Sequence, residues 1–170
     1  MARYAAFLRA INVGGRRITG PDLCKPFAAM GYGEPQAFRA SGNVIFDAAR
    51  KPSEGAVSDG LEEALGYEVV TFLRGAREIE SLRSGEPFEP EAKYHVMFLK
   101  KLPPAAAQKQ VLALGTDDDR LAFGARELFW RPRGRMTDSE LDLKAVEKLV
   151  GPNTMRTNGT VEQIAAKYFA

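Results

Sequence analysis

The chain has 170 residues, of which 45% are hydrophobic and 27% charged. This composition is typical of a folded globular protein and excludes an intrinsically disordered chain. The formal net charge is only +2, so charge by itself does not argue for a nucleic-acid-binding protein.

The chain contains a single cysteine, Cys24, and a single histidine, His95. A disulfide within the chain is therefore impossible, and a zinc site of cysteine and histidine ligands lacks its residues. We predict no metal and no cofactor. The apolar N-terminal stretch is too short for a signal peptide and is interrupted by Arg3 and Arg9, and no run is long enough to cross a membrane. We therefore expect a cytoplasmic protein without membrane contact.

Apolar periodicity and turn residues predict the first elements in chain order. Residues 4–11 form a compact apolar run typical of a strand. A helix follows from Pro21 and is expected to be short or kinked at Pro26. Residues 35–47 predict two short strands joined by a hairpin, and a second helix and a strand ending at Leu73 complete a β-α-β-β-α-β order.

The same order of elements is predicted again in the second half of the chain. A strand at 94–99 precedes a helix that opens at Pro103, and a hairpin is centred on Gly124-Ala125-Arg126. Residues 137–140 have the pattern of a capping box for the next helix. A short strand near 153–156 and a C-terminal helix follow.

These elements predict an α+β fold of two tandem ferredoxin-like halves, each an antiparallel sheet with helices packed on one face. The predicted boundaries are 1–75 for the first half, 76–92 for a connecting helix and joint, and 93–170 for the second half with its C-terminal helix.

Two polar turns of the first half are predicted to meet in space. In a βαββαβ half, the loop after the first strand and the hairpin between the second and third strands emerge at the same end of the sheet. Here these are the Asn12–Gly15 loop, continued by Arg16 and Arg17, and the Ser41–Asn43 hairpin. We call this end of the sheet the strand-end edge.

The strand-end edge has the residue types that bind anions. Glycines allow backbone N–H groups to approach a ligand, a helix N-terminus adds partial positive charge, and arginines donate two hydrogen bonds to a carboxylate or phosphate. We predict binding of a small anionic ligand, a nucleotide or another phosphorylated metabolite, by Arg9, Asn12, Gly14, Gly15, Arg16, Arg39, Ser41, Gly42 and Asn43.

Other interpretations of the same residues stay open. Each motif taken alone is first of all a turn, and the glycine spacing matches neither a dinucleotide fingerprint nor a Walker loop. An enzyme at this edge would use Ser41 as nucleophile and would need His95 nearby as a base. A nucleic-acid-binding module is disfavoured because no aromatic-rich strand is present, and a protein-interaction module is the remaining alternative.

Several further features favour structural roles. The basic cluster Arg131–Arg135 is expected to be a solvated loop, with an anion or nucleic-acid contact supported by stacking on Trp130 as the alternative. Residues 117–119 are three aspartates without the spacing of an EF-hand, and they are expected to end a helix-to-strand loop. Cys24 is expected to be semi-buried, and His95 is expected to be hydrogen-bonded within its strand.

The motifs together resemble those of the domain of unknown function 1697 family. The resemblance is carried by Tyr4–Gly15, Ser41–Phe46, Pro87-Phe88, His95–Leu99, Thr154–Arg156 and Thr160-Val161. It implies a bacterial cytosolic protein with two ferredoxin-like α+β halves, and it implies no particular activity.

This chain departs from the family pattern at a few positions. Ala10 replaces a usual glycine, Ala40 replaces a usual glutamine, and Thr157-Asn158 stands where Asn-Trp is common. If the family shares a ligand contact through those side chains, this member has lost part of it.

Overall fold

The computed structural model describes residues 1–12, 14–39 and 42–170. Its strands and helices, in chain order, are β1 (Ala2–Leu8), α1 (Gly20–Ala29), β2 (Gly33–Ala37), β3 (Asn43–Ala48), α2 (Glu54–Leu65), β4 (Thr71–Gly75), α3 (Ala76–Ser84), β5 (His95–Leu99), α4 (Ala105–Ala113), β6 (Asp119–Phe123), β7 (Glu127–Pro132), α5 (Leu143–Val150), β8 (Asn153–Thr157) and α6 (Asn158–Tyr168). A single 3₁₀ turn at Met136–Asp138 precedes α5.

The strands form two antiparallel four-stranded sheets, with the orders β2-β3-β1-β4 and β6-β7-β5-β8. Each sheet has the strand arrangement of a ferredoxin-like half, so the predicted α+β fold is confirmed. α3 follows β4 directly and α6 follows β8 directly, so that both halves end in a helix.

The chain divides into two compact units. The first comprises Met1–Arg83 together with Gln163–Ala170 from the end of α6, and the second comprises Ser84–Glu162. Each unit has its own hydrophobic core beneath its helices.

In the first unit, α1 and α2 pack on one face of the sheet. Thr19 and Ser53 cap the two helices, and Gly66 ends α2 with a left-handed φ of 83°. α1 is a short helix that contains the buried Pro26. The core comprises Ala6, Leu8, Ile11, Leu23, Phe27, Val44, Phe46, Ala48, Val57, Leu61, Val69 and Leu73.

In the second unit, the core on the helix-covered face of the sheet centres on Trp130, whose side chain is fully buried. Its other buried members are Met97, Leu99, Val111, Leu128, Val146 and Val150.

Two local predictions are wrong for identifiable reasons. The strand predicted to reach residue 11 ends at Leu8, because Ala10 has a left-handed φ of 56° that interrupts extended backbone. The capping box predicted at 137–140 does not cap α5. Instead, the Asp142 carboxylate accepts the Ala145 N–H at 3.0 Å, while the Ser139 hydroxyl donates to Asp119.

Candidate functional site

The loop after β1 and the hairpin between β2 and β3 lie at the same end of the first sheet. The Leu8 N–H donates to the Gly42 carbonyl at 2.8 Å, directly joining the two segments. Gly42 has a φ of 80°, and a Cβ at this position would lie 2.9 Å from the Leu8 carbonyl oxygen. Only glycine fits this contact without strain, so the close approach of the two segments explains the glycine of the second motif.

The loop after β1 is held by internal hydrogen bonds and exposes its glycine backbone. The Asn12 side-chain oxygen accepts the Ile18 N–H at 2.9 Å, and the Arg17 guanidinium donates to the Asn12 carbonyl at 3.5 Å. Gly14 and Gly15 have φ values of 60° and 82°, and a Cβ on either would meet nothing within 4 Å. The backbone here therefore borders open space at the strand-end edge.

Arginines surround these loops and are held in place by neighbouring side chains. The Arg16 guanidinium lies 4.0 Å from the centroid of the Tyr67 ring, a cation–π distance. Arg39 donates a hydrogen bond to the Gln163 side chain and lies 5.3 Å from the Phe38 ring centroid. Both guanidinium groups are therefore exposed to solvent while their conformational freedom is reduced.

The segment before β4 also reaches the strand-end edge, because the Arg9 N–H donates to the Val70 carbonyl at 3.0 Å. This segment contains Glu68, an exposed carboxylate that opposes the arginine charge. Within the part of the chain that the structure describes, the arginines of this edge outnumber Glu68, so the edge carries net positive charge. These arginines are Arg9, Arg16, Arg17 and Arg39.

The predicted site residues have different environments. Asn43 is fully buried, and its side-chain amide donates to the Phe38 carbonyl at 3.0 Å, so it shapes the hairpin from within. Gly42 is buried beneath Leu8. Arg9 and Asn12 are half-buried, whereas Gly14, Gly15, Arg16 and Arg39 are exposed. Ser41, like the departure at Ala40, lies outside the described residues.

His95 belongs to the second unit and packs against Trp130. The two ring centroids are 5.2 Å apart, and burial lowers the pKa of His95 from its ordinary value of 6.5. The imidazole is half-buried at the start of β5. This environment stabilises neutral histidine in a packing role.

The basic cluster at 131–135 is neutralised within its own unit. Arg133 pairs with Asp118 at 2.8 Å, Arg135 pairs with Asp138 at 3.1 Å, and Arg131 pairs with Glu89. Trp130 is fully buried, so the suggestion that it stacks on a nucleic-acid base is wrong. These contacts support the structural interpretation of the cluster.

Sequence reasoning did not identify two arginines at corresponding places in the two halves, of which Arg74 is buried and Arg156 half-buried. In the strand register, Arg74 of β4 lies opposite Ala5 of β1, and Arg156 of β8 lies opposite Val96 of β5. Arg74 is fully buried and donates to the Leu73 carbonyl at 2.9 Å. Burial lowers the pKa of Arg156 to about 10. The sequence feature that could have identified this pair is the arginine that stands shortly before a helix in both halves.

No group of histidine, cysteine, aspartate or glutamate side chains in the described ranges is arranged to hold a metal ion. Among the helices within those ranges, none has the length and apolar character needed to cross a membrane.

The fold defines an α+β protein with two ferredoxin-like halves, each closing with a further helix. The chain belongs to the DUF1697 family, because the family profile described as "Protein of unknown function (DUF1697)" matches residues 1–129. The matched residues include the β1 and hairpin motifs of the strand-end edge.

A solved structure shares this fold. The chain is similar to the conserved bacterial protein SP0830 from Streptococcus pneumoniae, with 22% identity, a TM-score of 0.73, and coverage of 98% of this chain and 99% of that chain. At this identity the likeness establishes the fold. No curated protein matches the chain.

Proposed function

We propose that the strand-end edge binds a small anionic ligand, a nucleotide or another phosphorylated metabolite. The observation that carries the proposal is the joining of two glycine-bearing segments at one sheet end by the 2.8 Å hydrogen bond from Leu8 to Gly42, with exposed arginines around them. The same proposal places the binding in the cytoplasm of a bacterium, and a single cysteine fits a reducing compartment.

Backbone amides of the loop provide the first set of contacts. Gly14 and Gly15 are consecutive residues with positive φ values and open surroundings. Backbone N–H groups in such turns form concave anion-binding sites. The α1 N-terminus contributes less, because Thr19 already caps it and Asp22 carries negative charge in its first turn.

Arg16 and Arg39 provide the second set of contacts. Their cation–π and hydrogen-bond partners, Tyr67 and Gln163, reduce the entropy that each arginine would lose on binding. A guanidinium donates paired hydrogen bonds to phosphate oxygens, so these two side chains favour a phosphorylated ligand. Asn12 and Asn43 act by holding the loop and the hairpin in shape.

Saturation-transfer NMR with AMP, ribose 5-phosphate and adenosine tests the proposal. We expect saturable binding of both phosphorylated compounds and none of adenosine, because the phosphate supplies the main contact. If ribose 5-phosphate fails while AMP binds, the ligand class narrows to nucleotides. Absence of saturable binding by both phosphorylated compounds contradicts the proposal.

A matched pair of variants locates the binding. Arg16→Gln combined with Arg39→Gln removes two charge-assisted contacts and is expected to weaken AMP binding at least about tenfold. Arg50→Gln is the control, because Arg50 is exposed in the loop after β3, at the other end of the same sheet. Equal weakening by the control variant would place the binding elsewhere.

A further inference from the structure

The second unit contains a half-open cavity of about 520 Å³, within the range of about 300–1,000 Å³ typical of small-molecule sites. It lies at the end of the second sheet where β6 begins and β7 ends, the end opposite the hairpin between those strands. We call it the second-unit cavity. Its lining comes from Leu114, Thr116, Asp118, Asp119, Pro132, Arg133, Gly134, Arg135, Asp138, Ser139, Glu140 and Leu141.

One lining residue is a buried carboxylate with an unused oxygen. Asp119 is only 6% exposed, and both its side-chain donors reach the same atom: Trp130 Nε1 lies 2.9 Å and Ser139 Oγ 2.6 Å from Asp119 Oδ1. The Ser139 hydroxyl is fixed in turn by accepting the Leu141 N–H at 3.0 Å. Among the residues that the structure describes, no donor reaches Asp119 Oδ2 and no cation pairs with this carboxylate.

The charges of the lining favour a cation. Arg133 is paired with Asp118, and Arg135 with Asp138, so these four residues cancel in pairs. Asp119 and Glu140 remain, which gives the lining a formal charge of −2. A carboxylate that is largely removed from water gains strongly from a charged donor, because the low local dielectric strengthens the contact.

The surroundings of the second-unit cavity also suit an apolar group. Leu114 and Leu141 line it. The two leucines of the lining therefore offer an apolar surface beside the Asp119 carboxylate.

We propose that the second-unit cavity binds a small organic cation, a primary ammonium group carried on an apolar alkyl or arylalkyl body. The ammonium donates to Asp119 Oδ2, and the apolar body covers Leu114 and Leu141. Glu140 adds longer-range attraction at the rim. The second-unit cavity would take a cation, whereas the strand-end edge would take an anion. The proposal for the cavity therefore does not depend on anion binding at the strand-end edge.

Trp130 makes the proposal directly measurable, because it is the only tryptophan of the chain and its indole N–H contacts Asp119. The probe is benzylammonium, with benzyl alcohol as the neutral analogue of the same shape. We expect benzylammonium to shift the Trp130 indole N–H resonance saturably and benzyl alcohol to bind at least about tenfold more weakly. If the unmodified protein binds benzylammonium and benzyl alcohol with equal affinity, or if benzylammonium causes no saturable shift, the proposal is overturned.

Two carboxamide variants locate the cation. Asp119→Asn keeps an acceptor for Trp130 and Ser139 while removing the charge, and it is expected to weaken benzylammonium binding at least about tenfold. Asp117→Asn is the matched control, because Asp117 is exposed and does not line the second-unit cavity, and binding should be nearly unchanged. Should Asp119→Asn fail to fold, Glu140→Gln replaces it, with a smaller loss expected; an unchanged affinity in the tested variant contradicts the assignment.

Discussion

The two units share one order of elements, yet their long loops lie at opposite ends of their sheets. Residues 9–19 join β1 to α1 in the first unit, whereas only residues 100–104 join β5 to α4 in the second. At the other end the balance is reversed: residues 49–53 join β3 to α2, and residues 133–142 join β7 to α5. The longer loop of each pair borders that unit's candidate site.

The framework itself is closely matched between the units. Leu8 N donates to the Gly42 carbonyl at 2.8 Å, and Leu99 N donates to the Arg126 carbonyl at 3.0 Å, at corresponding places. The strand pairing therefore determines where loops meet, and the loop sequences determine the charge found there. One unit has an arginine-rich edge, and the other has a cavity with excess negative charge.

The largest expected effect is a loss of stability at Arg74, one of the two arginines at corresponding places in the sheets. Arg74→Ala removes a fully buried side chain that donates to the Leu73 carbonyl and lies 3.8 Å from the Glu54 carboxylate. We expect the free energy of unfolding to fall by about 3–5 kcal/mol, because the substitution removes a large buried side chain together with its contacts to the Leu73 carbonyl and the Glu54 carboxylate. Urea denaturation measures the loss. Arg77→Ala, at an exposed position of α3, is the control and should leave the midpoint unchanged.

A smaller loss of stability is expected from substitutions in the two glycine motifs of the strand-end edge, and its size should differ between them. Gly42→Ala should lower stability by about 2 kcal/mol, because its φ of 80° disfavours any side chain and a Cβ would lie 2.9 Å from the Leu8 carbonyl. Gly15→Ala meets only the backbone cost, about 1 kcal/mol, because the space beside it is open. Thermal unfolding of both variants tests this order, and a larger loss for Gly15→Ala would contradict the described approach of the two segments.

A weaker effect concerns pH in the second unit. Burial lowers the pKa of His95 below its ordinary value of 6.5, so the unfolded chain binds this proton more readily than the folded one. The contribution of His95 to stability is therefore present above the unfolded-state pKa and is lost as pH falls through the window beneath 6.5. Trp130 emission, recorded against pH, should change with a midpoint below 6.5, since the rings lie 5.2 Å apart. His95→Gln should remove that transition, and a midpoint above 6.5 would oppose the burial described.

The smallest effect is expected at the exposed ion pairs. Arg133 and Asp118 are 80% and 61% exposed, so solvent and salt screen their attraction. Arg133→Gln should leave the urea midpoint within experimental error, in contrast to Arg74→Ala. A clear loss at Arg133 would show that the basic cluster has a structural role beyond surface pairing.

The fold and the meeting of two loops follow from patterns visible in the sequence. Glycine and polar turns mark the ends of the strands, and βαββαβ topology requires the turns after the first and second strands to share one end. The sequence did not reveal that Asn43 is buried, because a turn asparagine looks the same whether it faces solvent or the Phe38 carbonyl.

The second-unit cavity depends on contacts that local patterns do not show. Ser139 matched a helix-capping pattern, yet its hydroxyl donates to Asp119, 20 residues earlier in the chain. Arg74 was missed for a related reason, since hydropathy treats an arginine as a surface residue whether or not the fold buries it. Both features arise from long-range packing, which becomes visible only when the strands are in register.

The most direct test follows backbone and indole N–H resonances of the isotopically labelled protein during separate titrations with AMP and benzylammonium. The account predicts that AMP shifts Gly14, Gly15 and Arg39 saturably and leaves the Trp130 indole signal in place. Benzylammonium should shift the Trp130 indole and leave the strand-end edge unchanged. If AMP produces no saturable shift at the strand-end edge, or if both compounds shift the same residues, the assignment of an anion site to this edge is contradicted.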